Sequence, residues 1–219
     1  MAQLGYLAAF AVSMAFVESA IVVYLRAIHF PEGFRFPVLQ PDLLIYGTEV
    51  AREAATLAML GVVSRIAAPS RWGRLASFLF LFGLWDIWYY IWLKVLLDWP
   101  ESLLTWDLLF LIPVPWISPV LGPLLVSLLM VGSACWTMQL LKRGKVPSIG
   151  LTRGAGIAFG AMVVLYTFVS DGIFLFIRGG AEAVIEFVPT TFNWFAFLAG
   201  YGLCAAIVIR ALLRPSERS

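Results

Sequence analysis

Three charged side chains lie close together in an otherwise apolar stretch, YGTEVAREAATLAML, of the amino-acid sequence. On a helix that advances about 100° per residue, Glu49, Arg52 and Glu53 fall on one face. A charge at the centre of a membrane helix costs about 2.5–3.5 kcal/mol on insertion scales, several times what one leucine returns. This face must therefore meet protein or water, and we expect Arg52 to pair with one or both glutamates. The other polar members of the face are Tyr46 and Thr56.

Acidic residues in other apolar stretches fall at a similar depth. Counted from the predicted helix ends, Glu18, Asp86 and Asp171 lie between the mid-membrane and the outer boundary. Four or five carboxyls thus accompany one deep arginine. A surplus of acids in a low dielectric must be protonated, share protons or bind a cation. The sequence predicts one intramembrane polar site with the members Glu18, Glu49, Arg52, Glu53, Asp86, Tyr89, Tyr90 and Asp171.

The potential metal ligands of this predicted site are almost all oxygen atoms, which limits the metal ions that it could bind. Carboxylates suit a hard divalent cation such as Mg²⁺, Mn²⁺ or Ca²⁺, which is an alternative to proton sharing. His29 is the only histidine, and both cysteines, Cys135 and Cys204, lie in apolar stretches away from the acids. We therefore expect no haem or zinc centre, and no cofactor is certain.

The composition is that of an integral membrane protein. Of the 219 residues, 62% are hydrophobic and only 13% are charged, too apolar a chain to bury its surface in one small soluble core. The formal net charge of +2, scattered between apolar stretches, does not indicate a nucleic-acid interface. We therefore expect the chain to lie in a bilayer, in contact with membrane lipids.

The apolar stretches predict an all-α, polytopic helical bundle that forms a single domain over residues 1–219. Each stretch has the roughly twenty residues needed to cross a bilayer. A further apolar stretch at 101–117 is interrupted by prolines and is followed by more of them, so we predict a short re-entrant or interfacial helix there, capped by Ser102 or Thr105. The six predicted spans are 3–27, 43–67, 75–97, 118–141, 155–177 and 191–213.

Basic residues predict the orientation of the bundle. Lysine and arginine concentrate at 65–74, at 142–153 and in the tail beyond residue 210, whereas the other connections are mixed or acidic. Cytoplasmic loops are enriched in basic residues, so both termini are expected inside and 101–117 on the outer side without crossing. We expect a multi-pass protein of the plasma membrane, in particular the cytoplasmic membrane of a prokaryote.

Two further patterns carry structural predictions. Trp99, Trp106 and Trp116 fall near the predicted outer boundary, where tryptophans commonly form an interfacial belt. Gly156 and Gly160 form a small-xxx-small pair, which allows two helix backbones to approach closely.

Three functions are compatible with these features. The first is a small transporter or channel-like protein that handles protons, cations or a cationic solute through the carboxylates. In that case Arg52 organises the site, and Glu49, Glu53 and Asp86 carry the proton or cation. The second is a membrane-embedded enzyme acting on a lipid or isoprenoid. The third is a non-catalytic subunit of a larger membrane complex, with other membrane subunits or a second copy of the chain as partner.

Overall fold

The structure, a computed structural model, describes residues 2–29, 43–112, 114–185 and 187–217, and 77% of it is helical. Long apolar stretches form its helices, and polar side chains cap the start of two of them. Ser70 accepts the N–H of Gly73 at the start of the third helix, and Asn193 accepts the N–H of Ala196 at the start of the last. The helices of the described ranges are α1 (Ala2–His29), α2 (Leu43–Ala67), α3 (Arg71–Leu97), α4 (Leu121–Lys142), α5 (Leu151–Ile185) and α6 (Trp194–Leu213).

Five helices in the described part of the chain are long and apolar enough to cross a membrane. The sixth, α2, has the predicted bounds of 43–67 and sufficient length, but it carries Glu49, Arg52 and Glu53 within five residues. The helix α5 continues to Ile185, beyond the predicted end at residue 177. The five apolar segments are Gln3–Ile28, Arg71–Leu97, Leu121–Lys142, Leu151–Phe174 and Trp194–Leu213.

The prediction of a helix at 101–117 is wrong. This stretch forms an antiparallel hairpin of β1 (Trp106–Phe110) and β2 (Trp116–Pro119), in which Asp107 pairs with Ser118. Proline has no backbone N–H to donate within a helix, whereas aromatic and β-branched residues suit a strand. The strand pairing satisfies the backbone groups that face each other, which helps this proline-rich segment to pack among the helices.

Glycines set the closest helix contacts. At Gly83 of α3, an added Cβ would lie 2.7 Å from the carbonyl oxygen of Ser127 on α4. A Cβ on Gly160 of α5 would lie 2.8 Å from the carbonyl oxygen of Gly200 on α6, and one on Gly156 would lie 2.6 Å from the side chain of Ile207. The close approach predicted for the Gly156 and Gly160 pair is therefore present.

The basic segments lie together at one end of the bundle. The Gln3 side chain donates to the carbonyl of Ala67, which brings the start of α1 beside the end of α2. Two short strands, β3 (Lys145–Val146) and β4 (Ser216–Glu217), join the loop after α4 to the C-terminal tail. The hairpin β1–β2 lies towards the other end, where it follows the end of α3.

Candidate functional site

An arginine joins the first two helices. Arg52 of α2 donates from Nη1 to Glu18 of α1 and from Nε to Oε2 of Glu49, the latter at 2.8 Å. The side chains of Glu18, Glu49 and Arg52 keep 11%, 16% and 20% of their surface exposed, so the pairs are sheltered without being sealed off. Arg52 therefore pairs with Glu49, one of the two glutamates predicted for it, and also with Glu18 of α1, a pair that was not predicted.

Glu53 binds the backbone of the hairpin rather than an arginine side chain. Its two carboxylate oxygens accept the N–H of Leu111 at 3.1 and 3.0 Å, in the turn that follows β1. Glu53 is 6% exposed, and it forms no ion pair within 4.0 Å in the described part of the chain. This contact fastens the hairpin to α2.

Asp86 links α3 to α4. Its Oδ2 atom accepts a hydrogen bond from the Ser127 hydroxyl at 2.8 Å, next to the close approach at Gly83. Among the described residues Asp86 has no cationic partner within 4.0 Å either. The contact that the structure shows for this carboxyl is thus one hydrogen bond from a neutral hydroxyl.

Asp107, on β1, lies outside the membrane-spanning helices but is only 2% exposed. Its Oδ2 atom accepts a hydrogen bond from the Tyr90 hydroxyl at 3.0 Å. Burial raises the pKa of Asp107 from 3.8 to about 6, against the opposing effects of the Arg26 charge and the Tyr90 hydrogen bond. Arg26 itself lies over the ring of Trp99, with 4.0 Å between the guanidinium carbon and the ring centroid.

These carboxyls and the two arginines line one cavity of about 480 Å³, a volume in the range of small-molecule sites. Its polar wall comes from α1, α2, the C-terminal half of α3 and β1. Within the described residues this wall holds five carboxyls and two arginines, so the acids outnumber the arginines by three. The members of the polar wall are Glu18, Arg26, Glu49, Arg52, Glu53, Thr56, Asp86, Tyr89, Tyr90 and Asp107.

The rest of the cavity lining forms an apolar, aromatic wall. It comes from α3, α4, α5, α6 and the hairpin, and none of the described residues that α5 and α6 place on it is charged. Its rings touch one another: Phe110 lies 5.4 Å from Trp116, and Trp116 lies 6.5 Å from Phe168, centroid to centroid. The principal members of the apolar wall are Phe82, Trp85, Phe110, Trp116, Phe168 and Tyr201.

The three tryptophans of the predicted interfacial belt are partly buried, and each contacts other side chains. Trp116 lines the cavity, Trp99 packs against Tyr90 and Arg26, and Trp106 packs against Phe192 with 6.2 Å between centroids. Trp106 and Trp116 belong to the hairpin and are partly exposed, so the belt itself stays a prediction. One further tryptophan on the cavity wall, Trp85, is 5% exposed, and its indole N–H has no acceptor within the described residues.

Most of the predicted site residues meet at the cavity, and two polar residues do not. Asp171 of α5 is not on its wall, and next to it Gly172 packs against the carbonyl of Pro115. Tyr46 is 36% exposed and is also off the wall. The predicted members that do line the cavity are Glu18, Glu49, Arg52, Glu53, Asp86, Tyr89 and Tyr90.

Sequence reasoning missed Arg26, Asp107 and Ser127. The first two sit beside predicted connections, where charges are ordinary; Arg26 reaches the cavity from α1 and Asp107 from the hairpin. The local signal in the sequence was weak: the aromatic residues Trp106 and Phe110 on either side of Asp107 favour a strand. The side chains of His29 and Arg178 lie outside what the structure describes.

The described residues contain no cluster of side chains arranged as metal ligands. Nowhere in them do three histidine, cysteine, aspartate or glutamate side chains converge as ligands. Glu53 and Asp86 instead contact a backbone amide and a hydroxyl.

Comparison of the chain with protein-family models, with curated proteins and with solved structures finds no significant match. The cavity and its chemistry therefore carry the functional argument.

Proposed function

We propose that this chain is a small multi-pass transporter or channel-like protein that binds a cation in the cavity between α1, α2, α3 and the hairpin. The observation that carries the proposal is the composition of the polar wall, in which five carboxyls face two arginines. Arg52 offsets Glu18 and Glu49, while Arg26 lies near Asp107. Glu53 and Asp86 remain as the groups that carry a proton or a cation.

The energetics favour a charge-compensating guest. Each ionised carboxylate without a cationic partner is costly to keep away from bulk water. A proton, a hard divalent cation such as Mg²⁺, Mn²⁺ or Ca²⁺, or a small organic cation would each lower that cost. A permanent ion pair with an arginine would compete with such a guest. Reversible binding is therefore favoured where two acids, Glu53 and Asp86, have no arginine partner within 4.0 Å among the described residues.

The proposal includes a placement in the membrane. Helix α2 serves as a sixth span, tolerated because its charged face looks into the cavity. The end that holds the basic segments faces the cytoplasm, with both termini, and the hairpin lies on the outer side of a plasma membrane. The support for this orientation is that the basic segments around residues 67, 145 and 217 share one end of the bundle.

Flux through reconstituted vesicles tests the function. The purified protein is placed in liposomes, and the fluxes of protons, Mg²⁺, Mn²⁺, Ca²⁺ and radiolabelled tetramethylammonium are measured. We expect flux of at least one of these cations, a loss of about tenfold or more in Asp86→Asn, and normal flux in Asp171→Asn. Asp171 is the matched control because it is an aspartate on an apolar helix that does not line the cavity.

Two results would count against the function. One is a complete absence of flux for all five cations in correctly folded protein. The other is an equal effect of the two aspartate substitutions, since the cavity would then have no special part in the flux.

A membrane-embedded enzyme acting on a lipid or isoprenoid is the second candidate, favoured by the apolar wall beside Asp86 and Asp107. Those two carboxyls differ in their surroundings, as an acid and base pair requires. Incubation of the protein with total membrane lipids, followed by mass spectrometry, separates the candidates. A product formed by the native chain and not by Asp107→Asn would favour the enzyme over the transporter.

A further inference from the structure

We infer that the guest of the cavity is a lipophilic organic cation, with its charged head at the polar wall and an apolar, ring-bearing body against α5 and α6. This inference rests on the proposed function and adds the chemical class of the substrate. It is carried by the division of the cavity into two unlike walls, which a bare proton or metal ion would not need.

The division follows the helices. Helices α1 and α2 supply three glutamates and both arginines to the cavity, namely Glu18, Glu49, Glu53, Arg26 and Arg52. Helices α5 and α6 contribute alanine, valine, leucine, phenylalanine, tyrosine and cysteine. Helix α3 is shared: it supplies Asp86 to the polar wall and Phe82 to the apolar one, on successive turns. A guest in contact with both walls must therefore be charged at one end and apolar at the other.

The aromatic wall suits a cation in a second way. Phe110, Trp116 and Phe168 form a continuous series of ring contacts between α3 and α5. Ring faces attract organic cations and also stack against the rings of a guest. The same chain already uses this contact internally, where the guanidinium of Arg26 lies over Trp99.

The charge of the guest's head group follows from the balance of acids and arginines on the polar wall. A guest with a carboxylate or phosphate head would meet a wall in which acids exceed arginines by three, and Arg52 is already engaged by two of them. A quaternary or protonated amine head instead gains from Asp86 and Glu53, which have no cationic partner within 4.0 Å in the described chain. The volume of about 480 Å³ leaves room for a body as well as a head.

Equilibrium binding of three probes to the purified protein tests the inference. Tetramethylammonium is the head alone, 4-phenylbutyltrimethylammonium is the head with a ring-bearing body, and 5-phenylpentanoate is the same body with a carboxylate head. We expect the phenylbutyl cation to bind at least about tenfold more tightly than tetramethylammonium, because its body leaves water for the apolar wall. The phenylpentanoate is expected to bind most weakly.

Substitutions on each wall assign the two ends of the guest. Phe168→Leu and Trp116→Leu are expected to weaken binding of the phenylbutyl cation about three- to tenfold and to weaken tetramethylammonium clearly less, since it has no body to lose contact. Asp86→Asn is expected to weaken both cations. Trp136→Leu is the matched control, because Trp136 is a 37%-exposed tryptophan of α4 that does not line the cavity.

The outcomes separate this inference from the proposed function. Equal affinities for the two cations would overturn the lipophilic guest and leave a cation site. Phenylpentanoate binding as tightly as the phenylbutyl cation would overturn the charge of the head. Binding of neither cation, together with absent flux, would overturn the function itself. If Trp116→Leu fails to fold, Phe168→Leu still decides the apolar wall.

Discussion

Both carboxylate oxygens of Glu53 lie within 3.1 Å of the backbone nitrogen of Leu111, so one side chain of α2 holds the turn of a hairpin 58 residues further along the chain. That hairpin closes the cavity on one side, and it brings Asp107 to the polar wall and Phe110 and Trp116 to the apolar wall. Movement of the hairpin relative to α2 would change the shape of both walls at once.

Removing the Glu53 carboxylate should loosen the hairpin. Glu53→Leu leaves the Leu111 N–H without its acceptor, which costs about 1–3 kcal/mol. We expect faster hydrogen exchange in peptides spanning residues 106–116, with a smaller effect in Glu53→Gln, whose amide oxygen still accepts. Glu49→Gln is the control, because Glu49 contacts Arg52 rather than the hairpin. Unchanged exchange in Glu53→Leu would show that the contact does not hold the hairpin.

The ion pair between α1 and α2 should couple in a double-mutant cycle. Arg52→Met leaves Glu18 and Glu49 without their cation and should lower the free energy of unfolding in detergent by about 3 kcal/mol. Adding Glu18→Gln to Arg52→Met should recover part of that loss, because one of the two stranded charges is removed. Strictly additive effects would mean that the two side chains do not interact in the folded protein.

Stability should fall as the pH rises past the pKa of Asp107. The folded pKa of about 6 is above the ordinary value of 3.8, so the folded state binds this proton more tightly than the unfolded state. The contribution, about 3 kcal/mol at most, is fully present below about pH 4 and is lost as the pH rises through about 6. The difference between the native chain and Asp107→Asn should therefore depend on pH across this window. A difference independent of pH, measured by unfolding in detergent, would contradict the assignment.

The glycine contact between α5 and α6 should tolerate no side chain. In Gly160→Ala the new Cβ would approach the carbonyl oxygen of Gly200 to 2.8 Å, so the helices must separate, at a cost of about 1–3 kcal/mol. Gly61→Ala is the matched control, since a Cβ there meets nothing within 4 Å, and alanine favours a helix by up to about 1 kcal/mol. Thermal unfolding of the two variants side by side measures the difference, and equal midpoints would refute the close packing.

The sequence predicted the helices and most of the polar site for physical reasons that the structure shares. Residues 43–67 form α2 with the bounds expected from the apolar stretch, and the spacing of Glu49, Arg52 and Glu53 placed them on one face. Charged side chains on membrane helices are costly in contact with lipid, so they face the interior of the bundle. Their convergence at one cavity follows from that cost. Helical periodicity alone did not tell which neighbour Glu53 would find.

The hairpin could not be predicted from the same reasoning. Proline interruption excluded a long helix at 101–117, but it did not distinguish a short helix from a pair of strands. The pairing of Asp107 with Ser118 depends on a long-range register that no local pattern fixes. Local sequence also cannot distinguish Asp171 from Asp86, because both are aspartates on apolar helices. Only Asp86 lines the cavity.

Carbodiimide labelling tests the central claim most directly, which is that carboxyls from α1, α2 and α3 share one cavity open to a cation. The purified protein is treated with dicyclohexylcarbodiimide, with and without 4-phenylbutyltrimethylammonium, and the labelled carboxyls are located by peptide mass spectrometry. The account predicts that the cation protects Glu18, Glu53 and Asp86 together and leaves the labelling of Asp171 unchanged. Protection of none of the three, or of Asp171 to the same extent, would contradict it.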